Sequence, residues 1–223
     1  MDALPSVLQS LLLVPLTLLP IINPVGAAPI VMTAAGGHDK VLKRLSRQVA
    51  INGWVVIVAS MLVGTYVLDM FGISLPVVRV AGGLLVAFSA WSMLTGHDAD
   101  QVKSAVAERA TPDLSKAEIV QRSFFPITFP LTTGPGCIAA AIALGAQLPR
   151  SPLLYVMGAG IAALGAALTS LVIYLVFRNG GRLMRRMGQV GTLVMLRLMA
   201  FVLLCIGIQI LWTGWAELNR LVP

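Results

Sequence analysis

The sequence predicts an all-α polytopic membrane protein: six transmembrane helices forming two inverted three-helix repeats, with the first and fourth helices discontinuous. Three observations lead there. The 223 residues are 57% hydrophobic and 11% charged, with a mean hydropathy of +0.89. A soluble protein carries about 25% charged residues, so this chain has too little polar surface for water to cover. Six apolar segments, long enough to meet the ~20 residues that span a bilayer, fall at about 6–35, 48–69, 75–95, 119–147, 152–177 and 190–214. Finally, the first and fourth segments are interrupted by one pattern, Pro-x-x-polar-x-x-Gly. It reads Pro20-Ile-Ile-Asn23-Pro24-Val-Gly26 in the first and Pro130-Leu-Thr-Thr133-Gly134-Pro135-Gly136 in the fourth.

The first segment follows Met1-Asp2-Ala3-Leu4-Pro5, which lacks the basic start of a cleaved signal peptide, so it is expected to be retained. Its break is helix-start chemistry: Asn is a strong N-cap and Pro is favoured at the first helical position. The second segment carries Asn52 near its start, either bonded between helices or lining a cavity. The third carries Arg79 and, sixteen residues on, Thr95-Gly96. A polar stretch, 97–118, connects two halves at 1–96 and 119–223. In the fourth segment Gly134-Pro135 repeats the cap-then-proline arrangement, with Thr132 and Thr133 supplying hydroxyls. Gly158, Gly160 and Gly165 in the fifth and Gly207 in the sixth are expected to let helices approach closely, as are Gly82 and Gly83. The sixth carries Arg197 and, sixteen residues on, Thr213-Gly214, repeating the third.

Charge orients the chain. Of the sixteen Lys and Arg, twelve fall in alternate gaps: Lys40, Lys43, Arg44 and Arg47, then Lys103, Arg109, Lys116 and Arg122, then Arg178, Arg182, Arg185 and Arg186. By the positive-inside rule these gaps are cytoplasmic and both termini extracytoplasmic. The same distribution argues against nucleic acid as the partner of a +7 chain; lipid is the expected one. Each half holds three spans, an odd number, so a tandem copy inserts upside down and the repeat is inverted.

Proline removes a backbone donor and blocks the preceding helical turn. In hydrocarbon the freed groups need protein or a water-filled cavity. Each broken segment is expected to form two half-helices whose break lies ~15–20 Å deep at 1.5 Å per residue. A helix N-terminus carries roughly half a positive charge and free N–H groups. Two of them near mid-membrane suit a small anionic group such as an amino-acid carboxylate. The candidate binding residues are Asn23, Pro24, Gly26, Thr132, Thr133, Gly134, Pro135 and Gly136, with the glycines admitting close backbone approach. The competing reading is two structural proline kinks. Asn52, Arg79 and Arg197 are candidates for gating or cavity lining, the arginines alternatively for interface anchoring.

Several chemistries lack their residues. No Asp or Glu lies deep in a span, which argues against a carboxylate proton relay; coupling to Na⁺ held by backbone carbonyls stays open, as does uncoupled exchange, so Na⁺ or H⁺ coupling is carried as an open expectation. No phosphate loop, HExxH or Ser/His/Asp set is present, so neither an enzyme nor a cofactor is expected. Cys137 and Cys205 lack CxxC spacing and read as buried thiols rather than a metal or disulfide pair.

The run Leu19-Pro20-Ile-Ile-Asn23-Pro24-Val-Gly26-Ala-Ala-Pro29 resembles the Asn-Pro-x-Gly region of the MarC family. Pro126-Ile-Thr-Phe-Pro130-Leu-Thr-Thr-Gly134-Pro135-Gly136 resembles its Gly-Pro-Gly region, and Phe71-Gly-Ile-Ser74 with Arg79-Val-Ala-Gly82-Gly83 is also similar. The match covers essentially the whole chain. The family comprises bacterial and archaeal integral membrane proteins and includes small neutral amino acid transporters of the SnatA type. The resemblance implies six spans, a cytoplasmic (inner) membrane location and a transport role. The expected function is a secondary transporter of small neutral amino acids or similar solutes, monomeric or homodimeric. The alternatives are a membrane scaffold or assembly factor and a small-solute channel.

Overall fold

The computed structural model describes residues 3–36, 38–95, 119–121, 123–149 and 151–221; the connecting stretch 97–118 lies outside them. Every regular element among the described residues is helical: α1 (Ala3–Ile22), α2 (Pro24–Ala34), α3 (Asp39–Met70), α4 (Leu75–Thr95), α5 (Ser123–Thr132), α6 (Pro135–Gly145) and α7 (Pro152–Leu221). α7 is two arms, Pro152–Arg182 and Val190–Arg220, folded at Gly188. That residue has φ 68°, ψ −178°, a conformation glycine reaches without a Cβ penalty. α3, α4 and the two arms are each long and apolar enough to cross a bilayer. Two bent pairs pass the same test together: Leu8–Ile22 with Pro24–Ala34, bent by 58°, and Ile119–Thr132 with Pro135–Gly145, bent by 71°. That makes four candidate spans, or up to six with each bent pair counted as one; the six segments expected from hydropathy correspond to the upper count.

The helices outrun those segments. α3 starts at Asp39, so Lys40, Lys43, Arg44 and Arg47 occupy its first turns rather than a loop. The first arm likewise continues through Arg178 to Arg182. Hydropathy marks where lipid begins. It does not mark where a helix stops, and Lys and Arg are good helix formers. α3 closes at Gly72 (φ 66°), where Ile73 N–H reaches back to Leu68 O at 2.9 Å, so the terminal carbonyls are satisfied.

The core draws on both halves: Leu18 and Ile22 of α1, Val31 of α2, Leu45 and Ile57 of α3, Ile127 of α5, and Ile173 and Phe177 of the first arm are all buried. Glycines set the helix approaches. At Gly83 and Gly207 an added Cβ would overlap the backbone of the facing helix, which brings α4 against the second arm. Gly83 meets Leu211 and Gly214 meets Arg79 and Val80, so the two helices run antiparallel. Gly145 of α6 sits on the Met61 carbonyl of α3, and Gly165 of the first arm on Leu11 and Val14 of α1. Gly160 faces open space and makes no such contact. Outward faces carry Leu16, Tyr66, Phe88, Trp91, Leu153 and Val190, each more than half exposed. Apolar surface on this scale suits lipid rather than water. Cys137 is buried as expected; Cys205 is exposed on the second arm, against the expectation.

Candidate functional site

Asn23 makes the first break alone. Its backbone is left-handed (φ 46°, ψ 59°), a region that Asn tolerates far better than β-branched or bulky residues. From there Oδ1 accepts the Gly26 N–H at 3.1 Å, and Pro24 takes the first helical position. A Cβ on Gly26 would overlap the Asn23 amide, so this glycine makes room for the cap. Asn23 is 7% exposed, and its Nδ2 is buried without a hydrogen-bond partner. An unmet buried donor costs ~1–3 kcal/mol. A bound acceptor would recover that cost.

The second break is longer. Phe125 (φ −121°, ψ 126°) and Phe129 (φ −119°, ψ 125°) are extended inside α5. Each precedes a proline, whose ring drives its predecessor out of the helical region. The turns between are wide, and threonines tie them. Thr128 Oγ1 donates to Ser123 O at 2.6 Å, Thr132 Oγ1 to Ile127 O at 2.6 Å, and Thr133 Oγ1 to Thr128 O at 3.1 Å. These hydroxyls reinforce the wide turns rather than replace their backbone bonds: the Thr128 carbonyl also takes the Thr133 N–H, at 2.7 Å. The lone pairs of Thr132 and Thr133 stay available to accept. Gly134 then caps α6 in an extended conformation (φ −73°, ψ −179°), and no side chain caps the amides that follow Pro135. A Cβ at Gly134 would overlap the Pro130 carbonyl, and one at Gly136 would overlap Val86 of α4. The structure thus gives these glycines a turn and a helix contact.

The two broken segments pack crosswise: α1 against α6 and α2 against α5. That brings the two broken segments against one another. Asn52 on α3 holds the second from the side. It accepts from Gln48 Nε2 at 3.1 Å and donates through Nδ2 to Ser123 Oγ at 3.3 Å and, more weakly, to Thr128 Oγ1 at 3.5 Å. Of its two expected roles, the interhelical bond is the one observed. Arg79 makes an ion pair with Glu217, joining α4 to the second arm. Arg197 is exposed on that arm and has no ion-pair partner among the described residues.

Sequence reasoning missed Gln48, Ser123, Thr128 and Glu217. The signals were present: Gln48 lies one turn before Asn52, and Ser123 and Thr128 flank Pro126. Near the end of α2 a cavity of about 360 Å³ is lined by Met32, Ala35, Asp39, Lys43, Arg178 and Arg182, among others. Three of those six are cations. Among the described residues no group of three His, Cys, Asp or Glu could hold a metal ion.

Comparison with known proteins agrees with the sequence motifs. The family described as MarC family integral membrane protein matches residues 8–218. The chain is 29% identical over 205 residues to the UPF0056 inner membrane protein MarC of Escherichia coli (strain K12), covering 91% of this chain and 92% of the relative. The protein of the same name from Shigella flexneri matches with the same identity and coverage. No solved structure gives a significant match. The chain belongs to the MarC family of integral membrane proteins.

Proposed function

We propose that this protein is a secondary transporter of small neutral amino acids or similar zwitterions, with its site at mid-membrane between the two breaks. The observation that carries the reading is the buried, unpartnered Asn23 Nδ2 beside the N-terminus of α2, in a segment packed crosswise on the uncapped α6. Both helix ends favour negative charge, each by about 0.3–1 kcal/mol at an exposed end and more where desolvated. A carboxylate takes the Asn23 amide and first-turn N–H groups. An ammonium group takes the lone pairs of Thr132 and Thr133 and carbonyls left free by proline.

The halves are proposed to be inverted repeats, one rocking against the other. Supporting this, each broken segment packs on the second span of the opposite half: α1 and α2 touch the first arm at Gly165 and Gly180, and α6 touches α3 at Gly64 and Gly145. The basic residues at the start of α3 and the end of the first arm support extracytoplasmic termini. Reporter fusions after Gly96 and Val222 should then read cytoplasmic and extracytoplasmic; the reverse pattern overturns the orientation.

The test of transport is uptake of radiolabelled glycine, alanine, serine and threonine into proteoliposomes. Saturable counterflow is expected. A non-saturating leak indicates a channel, and silence with all four substrates indicates a non-transporting scaffold. Imposed Na⁺ and H⁺ gradients in the same vesicles identify any coupling ion.

A further inference from the structure

We propose that the groove between α3 and the first arm of α7 is a binding site for one anionic phospholipid. In this arrangement the phosphate sits at Arg47 and Tyr174, and an acyl chain runs toward Trp54. The groove has a volume of about 510 Å³. Its wall is formed by Ala50, Ile51, Ala167 and Leu171, an apolar surface shaped for hydrocarbon. Trp54 lies deeper in α3 than Arg47, and its indole N–H donates to Ala163 O at 3.1 Å. The bond fixes the ring across the two helices as the inner end of the groove. Ser170, 6% exposed, also lines the groove, and its Oγ has no hydrogen-bond partner. A glycerol-ester carbonyl entering the groove would accept that hydroxyl.

The other end of the groove is charged. Arg47 is exposed there, in the third turn of α3. On the facing arm the Arg178 guanidinium lies 5.7 Å from the centre of the Tyr174 ring and donates to its hydroxyl at 3.0 Å. With its oxygen accepting from Arg178, the phenol is left with its own O–H to donate outward. Arg47 and the phenolic donor line one end of an apolar channel, with the Arg178 guanidinium held on Tyr174 beside it and reaching the neighbouring cavity that Asp39 also lines; among the described residues no carboxylate lines the channel itself. The charge selects phosphate, and the missing carboxylate removes the partner that the ammonium of a zwitterionic headgroup would need. Basic pockets between membrane helices on the cytoplasmic side select anionic lipid on these grounds. The site does not depend on which solute, if any, the breaks bind.

The test is native mass spectrometry of the purified full-length protein titrated with phosphatidylglycerol and, separately, phosphatidylcholine. Phosphatidylglycerol is expected to bind about twenty-fivefold more tightly, about fivefold for each of the two guanidiniums. Arg47→Gln should weaken it about fivefold, and Arg47→Gln with Arg178→Gln about twenty-fivefold, erasing the preference. Ala167→Phe should block both lipids by filling the groove; Ile51→Trp serves if that variant misfolds. Equal binding of the two lipids, unchanged by Arg47→Gln, overturns the proposal. So does a Trp54→Cys variant that crosslinks between copies in native membranes, because the groove is then a dimer contact.

Discussion

One residue makes the first break and a whole segment makes the second. Pro15 and Pro20 stay inside α1, and the chain leaves helical geometry only at Asn23 before re-entering it at Pro24. In the fourth segment the irregularity spreads from Phe125 to Gly134. Local chemistry accounts for the difference. Asn tolerates the left-handed region and carries both an acceptor and a donor; it spends the acceptor on its own helix and keeps the donor. Threonine carries a single O–H, and Thr128, Thr132 and Thr133 each spend it on a carbonyl five residues back. One break therefore ends with a spare amide donor beside a capped helix. The other ends with spent hydroxyls before an uncapped one. If the two bracket a single ligand, they do so unequally, with the stronger directional donor on the Asn23 side.

The largest effect is expected at the contact of α6 with α4. Gly136→Leu would drive a side chain into Val86 and toward the Gly82 carbonyl. Overpacking of this kind costs about 1–3 kcal/mol, more where backbone faces backbone. Little monodisperse protein should survive detergent extraction, as read by size-exclusion chromatography. The equivalent change at Gly26, Gly26→Leu, meets first only atoms of the Asn23 side chain and no backbone, and should leave more folded protein. Equal yields would show that the two breaks are packed alike.

Next come substitutions of Asn23, which separate cap from amide. Asn23→Ala loses the cap, for about 1–2 kcal/mol, and places a Cβ at positive φ. Asn23→Gly keeps the backbone comfortable and loses only a few tenths of a kcal/mol. Both remove Nδ2. The expectation is a clear drop in melting temperature for alanine, a slight one for glycine, and loss of uptake in both. Full uptake by Asn23→Gly would take the amide out of the site and leave a structural kink.

The first break was open to reading because its chemistry is local. Asn-Pro in an apolar run is a helix start in any context, and Asn23 and Pro24 occupy the expected positions. The second break was read at Gly134-Pro135, where α6 does begin, yet its extended entry was missed although Pro126 and Pro130 signal it. The Gly134-Pro135 pair marks only the start of α6; the pre-proline residues Phe125 and Phe129 mark the extended entry. The role of Gly136 and the partner of Arg79 lay beyond a single sequence. Each depends on which face α4 turns toward a helix tens of residues away. Nor could the hydroxyl count of the threonines reveal that carbonyls within α5 already claimed them.

Thr132→Val and Thr133→Val each remove one donor from a buried carbonyl and should cost about 1 kcal/mol. If the ammonium reading is right, both also raise the KM for uptake, because the lost oxygen was its acceptor. A melting-temperature loss with unchanged KM would assign these threonines to the fold of α5 alone. The second break would then offer only the N-terminus of α6.

The smallest effect is expected at Arg79 and Glu217. The pair is part-exposed, with side chains 21% and 35% accessible, and pairs at such exposure contribute about 0.2–1 kcal/mol. A double-mutant cycle of Arg79→Gln and Glu217→Gln should give coupling in that range. Uptake kinetics should stay close to those of the unmodified protein if the pair only staples α4 to the second arm, which Gly83 and Gly207 already hold in contact. Coupling in stability with a large change in the rate of counterflow would mean that the arms part during the cycle. The unequal breaks would then be the fixed element, and the helices flanking this ion pair the moving one.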